Sequence, residues 1–240
     1  FAQATIDHNK ALAGNVTPGD APGYPITISR PGHYKLMGNL TVPAATMAIH
    51  ITAANVTLDL NGFTVAGQGT CSRNADTRTV TCWGVNAQLH GIKVGGGDGA
   101  TPNAVIRNGR VMGFGFGVVL DDYATVHDMT FMHNVISGLS AASRVSVARV
   151  HASLNGTNGM TVMSGSISDS VAADNGMYGI HSLSNDGKAA TLVINSVAIG
   201  NRLTGINNAT VRGTLQGDNG AIHRTQVRSA GSNADANGIY

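Results

Sequence analysis

Short runs of alternating apolar and polar residues recur along most of this chain, and in the second half they recur at a fixed interval. Four segments share one order: Asn, three residues, Gly, then an apolar residue. They are Asn134-Val-Ile-Ser-Gly138-Leu139, Asn155-Gly-Thr-Asn-Gly159-Met160, Asn175-Gly-Met-Tyr-Gly179-Ile180 and Asn201-Arg-Leu-Thr-Gly205-Ile206. Their asparagines are 21, 20 and 26 residues apart. A period near 20 in a glycine-rich chain without a helical stripe predicts a solenoid whose repeat is one coil of β-structure.

The coils can be laid over one another. Val105, Val126, Val147, Ile167 and Val193 align as an inward, β-branched position. Eight residues on stand Gly113, Asn134, Asn155, Asn175 and Asn201, and four beyond those stand Gly117, Gly138, Gly159, Gly179 and Gly205. Val118, Leu139, Met160, Ile180 and Ile206 follow. The glycine column predicts a corner that needs either a positive φ or a close backbone approach. The asparagine column predicts a structural ladder, each amide bonded to its equivalent about 4.8 Å away in the next coil. The longest interval contains Ser184-Asn-Asp-Gly-Lys-Ala189, a polar loop inserted between coils.

Earlier in the chain, Ile26–Ile28, Tyr34–Leu36, Leu40–Val42, Ile49–Ile51 and Val56–Leu60 alternate as strands with one buried face. Leu58-Asp-Leu-Asn61-Gly62 matches Val105-Ile-Arg-Asn108-Gly109, and a further coil runs through Trp83-Gly-Val85 and Ile92-Lys-Val94 to a loop at Gly95–Gly99. Residues 1–25, with Pro18, Pro22 and Pro25, read as an irregular leader, and 26–240 as one solenoid domain of about 20–21 residues per coil. No stretch after residue 45 shows a capped helical stripe, so no helix is expected there. Asn237-Gly-Ile-Tyr240 echoes the corner motif, so a bare coil edge that invites another chain is expected there.

Composition narrows the partners. Charged residues are 12% of the 240, about half the usual share, and the net charge is +2 with no Lys/Arg run, which argues against nucleic acid. Aromatic residues are 5%, thin for a sugar-stacking cleft. No apolar run reaches the ~18 residues of a membrane span. Cys71 and Cys82 bracket one polar segment and are expected to form a disulfide in an oxidising compartment. Phe1-Ala-Gln-Ala, with no initiating Met, reads as the end left by signal-peptide removal or the tail of a signal region.

Val56-Thr-Leu-Asp-Leu-Asn-Gly-Phe63, the stretch Val105–Val118 and the repeated Asn-x-x-x-Gly corners resemble secreted bacterial right-handed parallel β-helix proteins of the pectate-lyase-like superfamily. The resemblance covers residues 26–240 and implies an all-β parallel solenoid. It leaves activity open, because that superfamily holds lyases, hydrolases, epimerases, adhesins and phage spikes. The hydrolase Gly-His-Gly and the epimerase Asp-Pro-His-Asp patterns are absent. Asp121-Asp122 reads as an inter-coil turn, and Val126-His127-Asp128 is only a fragment of the epimerase pattern.

One charged column stands out, two residues after the inward position: Arg107, Asp128, Arg149, Asp169 and Asn195. It reads as an exposed charge ladder, with a catalytic strip as the alternative in which Arg149 serves as base or carboxylate clamp. His127, His133 and His151 lie on neighbouring coils in different columns, so no metal and no cofactor is expected. The expectation is a secreted or cell-surface protein, periplasmic placement included. It would be a non-catalytic scaffold that self-associates as a matrix, adhesive or filament subunit. The alternative is a polysaccharide lyase or epimerase acting on an acidic polysaccharide, with Arg107, Asp128, Arg149 and Asp169 as its catalytic candidates.

Overall fold

The computed structural model describes residues 3–96, 103–183, 191–207, 209–212 and 216–217. The inserted segment Ser184–Ala189, residues Gly97–Gly99 and the Asn237–Tyr240 echo lie outside them. Among the described residues the chain winds as a parallel β-solenoid with a 14-stranded sheet, an 8-stranded sheet and one small hairpin. Every inter-coil pairing in the two large sheets is parallel, the mark of a chain returning to the same face once per coil.

Stacked aliphatic columns fill the interior. In the second, 8-stranded sheet, Ile26, Ile49, Ile92, Val118, Leu139, Met160, Ile180 and Ile206 follow one another coil by coil, and all are buried. In the major sheet, Tyr34, Leu58, Ile106, Val126, Val147, Ile167 and Val193 do the same. Each fully buried aliphatic side chain contributes roughly 1.5–3 kcal/mol. β-branched residues suit both columns because their restricted χ1 packs well on a pleated surface.

The register corrects one coil of the sequence alignment. Ile106, not Val105, pairs with Val126; Val105 pairs with Thr125. The first coil of the aligned series is therefore one residue shorter than assumed. Gly113 then stands opposite His133 rather than in the asparagine column, and Phe114 takes the ladder position, its N–H donating to Asn134 Oδ1 at 3.2 Å. Arg107 likewise moves out of the proposed charged column and pairs in register with His127.

The segment 1–25 is not irregular throughout. Gln3–Ile6 is a strand paired in parallel with Gly32–Leu36, and His8–Ala13 is a short helix. Asp7 caps that helix by accepting from the Lys10 N–H at 2.7 Å, and Gly14 ends it at φ 71°. A Cβ on Gly14 would stand 2.6 Å from the Pro22 nitrogen, so the stop signal also serves a close approach.

At the corner between the sheets the asparagine side chains form a continuous buried chain. Asn134 Nδ2 donates to Asn155 Oδ1 (3.0 Å), Asn155 Nδ2 to Asn175 Oδ1 (3.0 Å) and Asn175 Nδ2 to Asn201 Oδ1 (2.9 Å). Each of those Oδ1 atoms also accepts the backbone N–H of the preceding asparagine. The residue before each ladder position is left-handed: Gly113, His133, Leu154, Asp174 and Gly200 have φ of 76, 56, 52, 55 and 66°. The corner glycines follow the close-approach alternative instead. None of Gly117, Gly138, Gly159, Gly179 and Gly205 has a positive φ. A Cβ on Gly159 would stand 2.6 Å from the Gly179 carbonyl oxygen and 2.8 Å from Asn175 Nδ2.

The Cys71–Cys82 segment is an antiparallel hairpin, Thr70–Arg73 with Val80–Trp83, in which the two cysteines are cross-strand partners joined by a disulfide. It runs along the solenoid across several coils. His133 Nδ1 lies 3.0 Å from the Cys71 carbonyl, and a Cβ on Gly156 would stand 2.9 Å from Cys82 Sγ. Further along, Arg73 Nε is 3.3 Å from Asp174 Oδ1, and Arg73 Nη2 donates to the Gly200 carbonyl at 3.3 Å.

Replacing Asn155 with Ala is expected to destabilise the protein by about 3 kcal/mol or more, because it strands at least two buried donors at about 1–3 kcal/mol each. Gly159→Ala is expected to be worse, since its neighbours are backbone and a ladder amide. Chemical denaturation followed by circular dichroism checks both, with the exposed Asn9→Ala as a comparison outside the ladder.

Candidate functional site

The charged column predicted from sequence lies where each long strand of the major sheet bends. Asn108, Asp128, Arg149, Asp169 and Asn195 occupy it, with φ of 60, 58, 51, 50 and 45°. Asn and Asp tolerate the left-handed region better than other residues with a Cβ. The acidic and amide character of this column therefore has a backbone cause, and Arg149 is its exception.

Arg149 closes on Asp128 in a forked pair, Nε to Oδ1 at 2.6 Å and Nη2 to Oδ2 at 2.9 Å. His127 Nδ1 is 2.6 Å from the same Oδ2. The Asp128 carboxyl is held far below the usual carboxylate range, first by the Arg149 hydrogen bonds and then by His127. The Arg149 guanidinium is pushed up by the same pair, and the Asp169 charge adds to it. Arg107 takes part in a different pair: its Nη2 is 3.1 Å from Asp59 Oδ2. Asp59 Oδ1 accepts from the Asn61 N–H (2.8 Å) and from Asn108 Nδ2 (3.2 Å). Of the four catalytic candidates, Asp128 and Arg149 form one ion pair, Arg107 pairs with Asp59, and Asp169 adds its charge beside Arg149. The sequence pattern marks Asp59 only as part of a coil motif, because its pairing with Arg107 depends on a register 48 residues long.

Beside Arg107 the outer face of the major sheet sinks into a depression of about 230 Å³, lined by Gln3, His33, Tyr34, Thr57, Asp59 and Arg107. The other sequence candidates are structural. Asp122 Oδ1 accepts the Ser143 N–H at 2.8 Å and its other oxygen is 3.6 Å from Arg144 Nη1, as an inter-coil turn requires. No group of three or more metal-ligating side chains occurs among the described residues.

The outer face of the second sheet has different chemistry. One outward column runs His50, Lys93, Val119, Ser140, Thr161 and His181. The neighbouring one runs His90, Phe116, Ser137, Asn158, continuing to Tyr178 and Thr204. The His90 and Phe116 rings are 5.6 Å apart, and Tyr178 meets His181 edge-on at 4.7 Å. Asn158 Nδ2 donates to Thr161 Oγ1 at 3.0 Å. Burial lowers the His90 pKa, with Lys93 and His50 adding to the effect, and burial lowers that of His181. His181 Nδ1 is buried without a hydrogen-bond partner. Neither column contains a carboxylate among these residues. The chain is poor in aromatics, yet two of them share one column here, a concentration that overall content conceals.

No family model matches the sequence, and no curated protein does. Among solved structures the fold is similar to that of the Dettilon tailspike protein (gp208), with a TM-score of 0.51 and 14% sequence identity. The alignment covers 89% of this chain and 51% of the tailspike chain, so the chain spans about half the length of that neighbour. The likeness is one of fold. No helix among the described residues is long and apolar enough to cross a membrane.

The Asp128–Arg149 pair makes a pH-dependent contribution with a defined sign. Asp128 has a depressed pKa in the folded state, so its stabilisation is present at neutral pH and is lost as pH falls through and below the ordinary carboxylate range. Asp128→Asn is expected to be less stable than the parent at pH 7, with the gap closing as pH falls below about 4 and narrowing in high salt. Urea denaturation across pH and ionic strength measures it.

Proposed function

We propose that this chain is an extracellular adhesive scaffold that holds a polysaccharide on the outer face of its second sheet without cleaving it. The observation that carries this reading is the contrast between the two outer faces. The two described columns of the second sheet offer aromatic rings, the Ser140 and Thr204 hydroxyls, an amide and histidines with no carboxylate, while Ser137 and Thr161 are buried. This mixture stacks on sugar rings and exchanges hydrogen bonds with their hydroxyls. On the major sheet two carboxylates are already engaged. Asp128 and Arg149 satisfy each other, and Asp59 accepts three hydrogen bonds or ion-pair contacts. A carboxylate bound in this way is a poor nucleophile or general base. The Cys71–Cys82 disulfide supports an oxidising, extracellular setting. The fold shared with a tailspike protein is consistent with an adhesive role. The self-association expected from Asn237–Tyr240 falls on residues outside those described.

A second reading, a lyase or epimerase on an acidic polysaccharide, draws on His127. Its Nδ1 is held by Asp128, which leaves Nε2 available as a base, with Arg107 in register beside it to neutralise a uronate.

Retention of the purified protein on immobilised polysaccharides, with product absorbance and reducing ends followed in the same samples, separates the two. The expected result is retention without product. Phe116→Ala and Tyr178→Ala are each expected to weaken retention several-fold, from loss of about 1 kcal/mol of ring contact. Turnover abolished by His127→Ala would establish the enzyme instead. Absence of retention on every polysaccharide would remove the adhesive reading.

A further inference from the structure

The depression on the major sheet has no part in the face described above, and its chemistry differs. On the strip around it, Lys35, Arg107 and Arg149 stand against Asp59, Asp128 and Asp169. Three cations meet three carboxylates, so the strip is internally neutral when His33 and His127 are neutral. It therefore offers no net attraction to a charged ligand.

Two of its polar heads nevertheless keep unused capacity. Arg107 meets Asp59 through Nη2, and its Nε is buried without a hydrogen-bond partner, so the capacity open to a ligand lies at the guanidinium tip. The remaining guanidinium N–H groups are donors, and the side chain is 43% exposed. His127 is the in-register neighbour of Arg107 on the next coil, about 4.8 Å along the solenoid. The ionised Asp128 can only accept, so His127 Nδ1 carries the proton. In the neutral ring Nε2 is then an acceptor. A donor and an acceptor stand side by side at one strand spacing: Arg107 lines the hollow together with Thr57, His33 and Gln3, and His127 stands one coil beyond it.

Adjacent hydroxyls on a sugar ring present that combination, since each can donate to one group and accept from another. A uronate carboxylate would find the donor but would face the Nε2 lone pair and the two flanking aspartates. We propose that this depression, together with the coil beyond its Arg107 edge, is a second glycan subsite, for one neutral sugar unit, in which Arg107 and His127 read neighbouring hydroxyls. The inference rests on the polysaccharide-binding reading and adds a site on the opposite sheet with its own ligand class. Asp59 and Asp128 act there as positioning residues, fixing the guanidinium and the imidazole from behind.

Calorimetric titration of the full chain tests it, with neutral oligoglucosides, oligogalactosides and oligomannosides as probes beside oligogalacturonate. Thr57→Phe fills the hollow, and His127→Phe keeps a ring while deleting the acceptor. Each is expected to weaken binding of a neutral oligosaccharide about tenfold or more, with both variants titrated at a temperature where circular dichroism shows them fully folded, since His127→Phe also removes the contact to Asp128. Tyr178→Ala reports the other face. Neutral oligosaccharide binding that responds to Tyr178→Ala but to neither major-sheet variant overturns the subsite and leaves the polysaccharide reading intact. Tighter binding of oligogalacturonate that His127→Phe abolishes overturns the ligand class. Binding of no probe removes both the subsite and the reading it rests on.

Discussion

The buried amide of each ladder asparagine must find partners inside the corner of the solenoid, and it finds them in the coils on either side. One Oδ1 accepts both the side-chain and the backbone N–H of the preceding asparagine, while Nδ2 donates onward. An unpaired buried amide costs more than a made hydrogen bond contributes, so the arrangement penalises any slip of one coil against the next. Register between coils then decides which side chains share a column on the outer faces. The columns around Phe116 and Tyr178, and the pairing of Arg107 with His127, are downstream of that constraint.

The glycine columns and the hairpin serve the same corner. Glycine is needed at Gly138, Gly159 and Gly179 because a Cβ would meet the next coil's backbone, and not because of φ. The disulfide-linked hairpin then runs across the coils carrying His133, Gly156, Asp174 and Gly200, and binds them laterally. A solenoid whose coils touch only their neighbours gains from such a connection, since local fraying would have to break contacts to a distant part of the chain.

The two outer faces separate two kinds of chemistry. On the major sheet, opposite charges at strand spacing neutralise one another and tie adjacent coils. On the second sheet, rings, hydroxyls and histidines lie in rows with no carboxylate between them. A polymer lying along the solenoid would meet one set of side chains per coil, so affinity can be built from many weak contacts.

Much of the architecture was legible because it follows from constraints that recur locally. Asn134, Asn155, Asn175 and Asn201 mark corners, and Gly138, Gly159, Gly179 and Gly205 mark close approaches, wherever each coil turns. The helix at His8–Ala13 carried its own signals in Asp7 and Gly14, although the prolines that follow suggested an irregular leader. Val105 and Ile106 are both apolar and β-branched, so pattern alone could not choose between them, and that single step displaced Arg107 and Gly113 from their true columns. By itself, then, the sequence determined a coiled β-architecture, its approximate period and the residues at its corners, since these depend on backbone geometry within one coil. Only the tertiary structure decided that Asp59 meets Arg107, that His127 stands beside it and that Phe116 and Tyr178 share a face. Those partners lie one or more coils apart, and their identities are set by inter-coil hydrogen bonding that no local pattern encodes.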